Sequence, residues 1–366
     1  MCTGIQVKTK SGAPVYARTL EFGIDLQSQL LVIPKGTSFT GVGPTGDQPG
    51  MTWTAKYNMT GLNTMGLNIL TDGLNSEGLA AGAFYFTGCA GYMDVTAAEA
   101  GQSVCSSDVV TYLLSTCANV AEVKEAVKTL KVNKGIAPAA AEALQTTIPV
   151  PLHYNIHDAA GNALVVEHVN GQVHIHDNPI GVLTNNPELN WHWINLSNYV
   201  ALTPYTRTGI QLHNVTNTGA KGPEIYGTGQ GSGFIGLPGD ITSPSRFIRA
   251  VAHSQAAVPA DTNELAVDQA FHILNSFDIP FGSVRQVVPA TQDQPEQTIC
   301  EYTLWTAASD MQQRRYYFHT FQDRRVCMLD LANWEFTSKD IIAIDMNQGR
   351  SIVELQAQYH AVPVMP

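Results

Sequence analysis

The chain has 366 residues, 44% of them hydrophobic and 14% charged, with a mean hydropathy of −0.05. This composition excludes disorder, coiled coil and collagen-like repeats. Lys and Arg total 20 against 31 Asp and Glu, a net charge of −11 with no basic run, which argues against nucleic acid and anionic membranes as partners because phosphate binding needs clustered cations.

The chain opens Met1-Cys2-Thr3-Gly4-Ile5, without the charged region and apolar core of a signal peptide, so as written it reads as cytoplasmic. A leader trimmed from it would make it periplasmic or secreted. Residues 5–7 and 15–19 flank Lys10-Ser11-Gly12-Ala13-Pro14, which predicts a hairpin that ties the terminus into a sheet. Residues 65–70 and 78–86 flank Asp72-Gly73-Leu74-Asn75 and predict a second strand pair, the later strand apolar enough to be buried on both faces. No apolar stretch approaches the roughly 18 to 20 residues that span a bilayer.

From 106 to 131 the period turns helical, with Val109, Val110, Leu113 and Leu114, then Val120, Val123, Val127 and Leu130, and Asn119 is placed to cap the second of two helices. Strands return at 153–157, 163–168, 173–176 and 181–184, separated by the turn signals Ala160-Gly161-Asn162 and Asn170-Gly171, as in an antiparallel meander. Residues 198–227, rich in Thr, Asn and Gly, read as an extended arm that packs against another subunit. Helical patterns at 245–256 and 263–277 precede strand candidates at 301–307, 315–321 and 325–331. This order predicts one α+β domain over 1–366, with two mainly antiparallel sheets covered by helices on both outer faces.

Two motifs carry little chemistry. Gly231-Ser232-Gly233-Phe234-Ile235-Gly236 has dinucleotide-site spacing, but Leu237-Pro238-Gly239-Asp240 follows where such a site needs a helix start, so it reads as a loop. His174 and His176 share one face of a strand and read as a hydrogen-bonded surface pair rather than metal ligands. Among six cysteines there is no C-x-x-C pair, and five read as small apolar core residues.

Cys2 is the exception. Removal of Met1, expected before a small second residue, leaves nucleophile and base in one residue: a free α-amine titrates at about 7.7 to 8.0 and a thiol at about 8.5, so proton transfer between them is nearly balanced. With it come Tyr16-Ala17-Arg18-Thr19-Leu20-Glu21-Phe22, Asp72-Gly73-Leu74-Asn75-Ser76-Glu77-Gly78-Leu79 leading to Tyr85, Leu183-Thr184-Asn185-Asn186-Pro187, and Gly236-Leu237-Pro238-Gly239-Asp240 followed by Ser245-Arg246-Phe247. In this order and spacing the set resembles the choloylglycine hydrolase family, which contains conjugated bile salt hydrolases and penicillin V acylases, over nearly the whole chain.

The resemblance implies an N-terminal nucleophile hydrolase, a four-layer αββα sandwich assembled as a homotetramer, acting on a small-molecule amide without metal or organic cofactor. It implies Cys2 as nucleophile through a thioester, Arg18 as the cation favouring thiolate, and Asn185 with the backbone N–H of Tyr85 as oxyanion donors. Arg246 matches the second family arginine. It falls in the first turn of a helix that Ser243 is placed to cap with Pro244 at its first position, where the helix dipole disfavours a cation. Glu21 stands where the family normally has Asp, so the carboxylate that orients the α-amine is one methylene longer.

Tyr85 occupies the position where bile salt hydrolases usually carry Asn and penicillin V acylases usually carry Tyr. An aromatic ring there narrows the acyl pocket and favours phenoxymethylpenicillin as substrate, with Phe22 and Ile24 as further pocket candidates. Conjugated bile salts and long-chain N-acyl homoserine lactones remain alternatives for the same mechanism. The alternative outside enzymes is an inactive family member acting in binding or assembly.

Overall fold

Alternating apolar residues on either side of a Gly/Pro turn make the start of the chain a hairpin, in which Cys2–Lys8 pairs antiparallel with Pro14–Phe22 and Cys2 lies opposite Leu20. The computed structural model describes residues 1–216, 218–227, 229–290, 295–347 and 349. In it, this hairpin continues into a sheet through Gln297–Asp310, Arg315–Thr320 and Cys327–Asp330, while Val284–Val288 also pairs with Gln297–Asp310. The second sheet has eight strands, in spatial order Gln172–Asp177, Ala163–Val169, Leu152–His157, Ala80–Tyr85, Leu70–Asn75, Met59–Asn63, Gln29–Ile33 and Ile342–Asp345. Every pairing in both sheets is antiparallel.

The side chains of Ala80–Tyr85 divide between two cores, as the period of a strand buried on both faces requires. Ala80 and Phe84 join Ile5, Ala17, Leu74 and Ala307 in a core that extends beneath Phe247 and Phe271 of helices Ser243–Ala256 and Asn263–Asn275. Ala81 and Ala83 turn the other way, toward Val110 and Leu113 of helix Val109–Thr116 and Val123 of helix Val120–Thr129. The four layers are therefore helix, sheet, sheet, helix, as expected, and the Asn119 side chain caps the second helix by accepting from the Glu122 N–H.

Local signals misled in four places. Asp72-Gly73-Leu74-Asn75 belongs to strand Leu70–Asn75 instead of a turn, and this strand lies between Met59–Asn63 and Ala80–Tyr85; the reversal falls at Ser76-Glu77-Gly78, where Gly78 adopts φ +85°. Residues 181–184 form only a bridge, Leu183 to Gly4. The helix cap before Arg246 is Thr242, because Ser243 is already helical and turns its hydroxyl to other partners. Three of the six cysteines, Cys89, Cys300 and Cys327, are only half-buried.

Candidate active site

The Leu183 bridge pins the segment that follows strand Gln172–Asp177 to the terminal strand: the Gly4 N–H donates to the Leu183 carbonyl at 2.7 Å, and the Leu183 N–H donates back at 3.1 Å. Asn185 follows two residues later and is thereby held against Cys2. The Cys2 N–H, which becomes the α-amine once Met1 is gone, donates to Asn185 Oδ1 at 2.9 Å. Asn185 Nδ2 donates to the Tyr85 carbonyl at 2.7 Å, and an amide nitrogen retains a second N–H beyond that bond. The Ser243 hydroxyl accepts from the Asn185 N–H at 2.9 Å.

Strand alternation from Tyr16 carries Arg18 to the face between the sheets, where it is 0% exposed. Its Nη2 donates to Cys2 Sγ at 2.9 Å, its Nη1 to the Ala83 carbonyl at 2.6 Å, and its Nε to the Thr19 carbonyl at 3.2 Å. The guanidinium also lies 4.1 Å from the centre of the Phe84 ring. Burial works against this charge, but the neighbouring Cys2, Tyr16 and Asp72 outweigh it and hold the Arg18 pKa above its ordinary value. The guanidinium thus sets a fixed positive charge against the Cys2 sulfur.

Behind Arg18 stands a group that motif reading passed over as a turn. Asp72 Oδ2 is 3.9 Å from Arg18 Nη1 and accepts from the Tyr16 hydroxyl at 3.0 Å, while Oδ1 accepts from the Tyr316 hydroxyl at 2.8 Å. Tyr16 and Tyr316 come from the first sheet and Asp72 from the second, so this clamp also ties the layers. Tyr16 and Asp72 both lay within recognisable motifs, whereas nothing local to Tyr316 marked it.

Arg246, from the first turn of Ser243–Ala256, is likewise fully buried. It donates through Nη1 to the Cys2 carbonyl and, at 2.9 Å, to Thr3 Oγ1, and through Nη2 to Asn185 Oδ1 at 2.6 Å. Its pKa is lowered by burial and supported by Glu21 and Cys2. The helix position that disfavours a cation is thus compensated by partners on the terminal strand.

Glu21 lies three residues from Arg18 and so projects from the other face of the strand. Its Oε1 accepts from Thr303 Oγ1 at 3.4 Å, and burial raises its pKa against the pull of the Met1 ammonium, Arg246 and Arg18. The carboxylate does not hydrogen-bond the Cys2 nitrogen; Asn185 Oδ1 does. That nitrogen is here the amide of the Met1–Cys2 peptide bond, whereas the contact expected of Glu21 is with the α-amine that removal of Met1 frees.

Cys2 sits on the floor of a narrow apolar slot with about 70 Å³ of free room, walled by Phe22, Leu26, Met65, Tyr85, Leu144 and Val150. The Phe22 and Tyr85 rings meet edge to face, centroids 5.4 Å apart. An open cleft of about 1080 Å³ adjoins the slot, bordered by Ile24, Tyr85, Asn185, Arg246 and Glu301. Phe22 and Tyr85 line both spaces, while Ile24 reaches only the cleft. Among the described residues no group of three or more His, Cys, Asp or Glu side chains is arranged to hold a metal ion; His176 instead lies 3.3 Å from Glu167.

Burial raises the Asp72 pKa from 3.8 to about 6, although Arg18 and both tyrosine hydroxyls oppose the shift. A carboxyl that holds its proton more tightly when folded contributes stability that is complete below about pH 4 and lost as pH rises through about 6, up to about 3 kcal/mol. In urea titrations across this window, the stability of the wild type relative to Asp72→Asn is expected to fall by that amount as pH increases. A difference independent of pH would contradict the shift.

Residues 2–344 match the family model described as linear amide C–N hydrolases, choloylglycine hydrolase family. The chain is 28% identical to a bile salt hydrolase/transferase of Clostridium perfringens, covering 96% of this chain and 99% of the relative. It is 24% identical to a penicillin V acylase of Pectobacterium atrosepticum, covering 96% and 87% respectively. Its structure matches that of the R18L variant of the conjugated bile acid hydrolase from C. perfringens with a TM-score of 0.78 at 26% identity, covering 97% of this chain and 100% of that one. The sandwich of antiparallel sheets is accordingly that of the N-terminal nucleophile hydrolases, and the chain belongs to the choloylglycine hydrolase family of linear amide hydrolases.

Proposed function

We propose that the protein cleaves the side-chain amide of phenoxymethylpenicillin, or an amide with a similarly slim aromatic acyl group, with Cys2 as nucleophile. The observation that carries this reading is the convergence on Cys2 at the floor of an aromatic slot: Arg18 lies against its sulfur and Asn185 Oδ1 against its nitrogen. With Met1 removed, the α-amine takes the thiol proton while Sγ attacks the amide carbonyl carbon. The carbon–nitrogen bond then breaks, the departing nitrogen receives that proton, and a thioester remains on Cys2. Water attacks the thioester, giving its proton to the α-amine, and the carboxylic acid leaves as Sγ is released.

In this reading the second N–H of the Asn185 amide and the backbone N–H of Tyr85 face the oxyanion, where the loss of one donor typically costs about 3 to 4 kcal/mol. Arg246 keeps Asn185 Oδ1 and the Cys2 carbonyl in register, so that the α-amine and the sulfur stay on the same side of the scissile bond. The slot formed by Phe22 and Tyr85 supports a flat acyl group. A second reading, hydrolysis of conjugated bile salts, is supported by the names of relatives that match nearly the whole chain and by the cleft beside the slot, which has room for a steroid.

Release of free amine from phenoxymethylpenicillin and from glycocholate, measured side by side, separates the two. The expected outcome is preferential release of the penicillin nucleus, abolished by Cys2→Ala, from protein whose intact mass shows that Met1 is gone. Preference for glycocholate would retain the mechanism and overturn the substrate.

Glu21→Gln removes the negative charge that supports Arg246 and, in the processed chain, the ammonium of Cys2. We expect kcat/KM to fall on the order of tenfold, equivalent to about 1.4 kcal/mol, with a changed pH profile. Full activity with an unchanged profile would remove Glu21 from the mechanism.

The arm between the two halves of the site exposes Val200, Tyr205, Val215 and Tyr226 to solvent. We propose that these side chains seat on further copies of the chain in a homotetramer. Light scattering is expected to give four times the chain mass, and a monomeric mass would contradict this assembly.

A further inference from the structure

On the face of the eight-stranded sheet that looks toward the first sheet, histidines gather around one carboxylate. Glu167 is 0% exposed; its Oε1 accepts from the Leu189 backbone N–H at 3.0 Å and lies 3.2 Å from His153 Nδ1. Its Oε2 lies 3.3 Å from His176 Nε2, without the alignment of a hydrogen bond. The other ring nitrogen of His153, Nε2, is 3.1 Å from the Thr184 carbonyl.

Neither an ionised carboxylate nor a carbonyl has a proton to give. Each nitrogen of His153 therefore faces an acceptor, whereas a neutral imidazole carries a single N–H. The imidazolium satisfies both contacts. Its surroundings suit a cation paired with an anion: the ring is stacked on Phe86 at 4.3 Å with an interplanar angle of 7°, and it meets Phe84 edge to face. Although burial raises the Glu167 pKa, contacts with His153, His176 and the Leu189 N–H outweigh it and bring it down to about 2.

The Thr184 carbonyl held by His153 belongs to the peptide bond that leads into Asn185. The next carbonyl, that of Asn185, is 3.1 Å from His192 Nε2, and burial lowers the pKa of His192 to about 4, so a neutral ring serves there. The other ionisable groups close to the pair include His174, which lies opposite Glu167 on the neighbouring strand and stacks on His176, together with His176, His192 and Cys89, with Arg246 beyond His192 and Glu188 beyond Cys89.

We infer that His153 is a buried imidazolium paired with Glu167, and that this ion pair positions Asn185 for the reaction by fixing the Thr184 carbonyl. The inference rests on the reading of Asn185 as an oxyanion donor. Neither residue touches substrate; both act through the backbone of the segment that carries the donor. With an amide in place of the Glu167 carboxylate His153 keeps one proton, so either the Thr184 carbonyl loses its donor, or the amide turns an N–H to Nδ1 and the Leu189 N–H loses its acceptor.

The protonation state is tested directly in the wild-type enzyme labelled with 15N-histidine. At about pH 8, where an ordinary histidine is neutral, His153, assigned through its contact with the Phe86 ring, is expected to show N–H correlations at both ring nitrogens. A single N–H at His153 overturns the ion pair.

The positioning role is tested with Glu167→Gln, with rate normalised to titrated Cys2 thiol. The expected result is a loss in kcat on the order of 10- to 100-fold with little change in KM, partly restored by Glu167→Asp. Lower thermal stability with kcat per thiol unchanged overturns positioning. So does an equal loss from Glu167→Gln in wild-type and Asn185→Ala backgrounds, because a residue acting through Asn185 adds nothing once that amide is gone. Full activity of Asn185→Ala alone removes the oxyanion reading and the positioning role with it, while the imidazolium remains decided by the nitrogen spectra.

Discussion

A guanidinium buried without solvent between two sheets is the constraint on which the rest of this molecule turns. Arg18 cannot be placed there unless its donors find acceptors and its charge finds compensation, because stripping water from an ion costs several kcal/mol. The acceptors are the Cys2 sulfur and the carbonyls of Ala83 and Thr19, and the compensating carboxylate is Asp72. Meeting that requirement brings the terminal hairpin over strand Ala80–Tyr85 and locks Asp72 between Tyr16 and Tyr316. The need to satisfy one cation therefore aligns two sheets and sets the Cys2 sulfur beside it.

Arg246 makes the complementary arrangement on the opposite side of Cys2. It is carried by a helix that packs on the first sheet, and it gathers the Cys2 carbonyl, Thr3 and Asn185 around itself. Sulfur thus rests on one arginine, while the nitrogen of the same residue rests on an asparagine oriented by the other. In the proposed mechanism nucleophile and base are separated only by covalent bonds within Cys2, so the protein needs to orient a single residue instead of aligning a dyad.

The chain's local patterns displayed much of this architecture. The terminal hairpin, the two tandem helices, the meander from Leu152 to Asp177 and the later helix pair were visible because their apolar periods match the faces they bury. Asp72-Gly73-Leu74-Asn75 misled because three turn-forming residue types, Asp, Gly and Asn, sit in a strand whose neighbours satisfy its backbone, a case of tertiary pairing overriding local preference. Strands Gln29–Ile33 and Met59–Asn63 pair with each other, and Ile342–Asp345 is drawn into the sheet by pairing with Gln29–Ile33 across a long stretch of sequence.

Cys2, Arg18, Asn185, Tyr85 and Arg246 were legible because their residue types stand in motifs of definite order and spacing, and the fold brings all of them to one place. Which atom meets which was not contained in those motifs. That Asn185 rather than Glu21 binds the Cys2 nitrogen follows from strand alternation combined with the crossing at Leu183. That Tyr316 completes the Asp72 clamp, and that His153 links Glu167 to the Thr184 carbonyl, depends on residues far apart in the chain. The sequence alone determined the chemical groups and the layered α+β fold, since both are written in residue type and period. Only the tertiary structure decided the partners of each buried charge, because burial makes every donor and acceptor answerable to neighbours that sequence distance does not reveal.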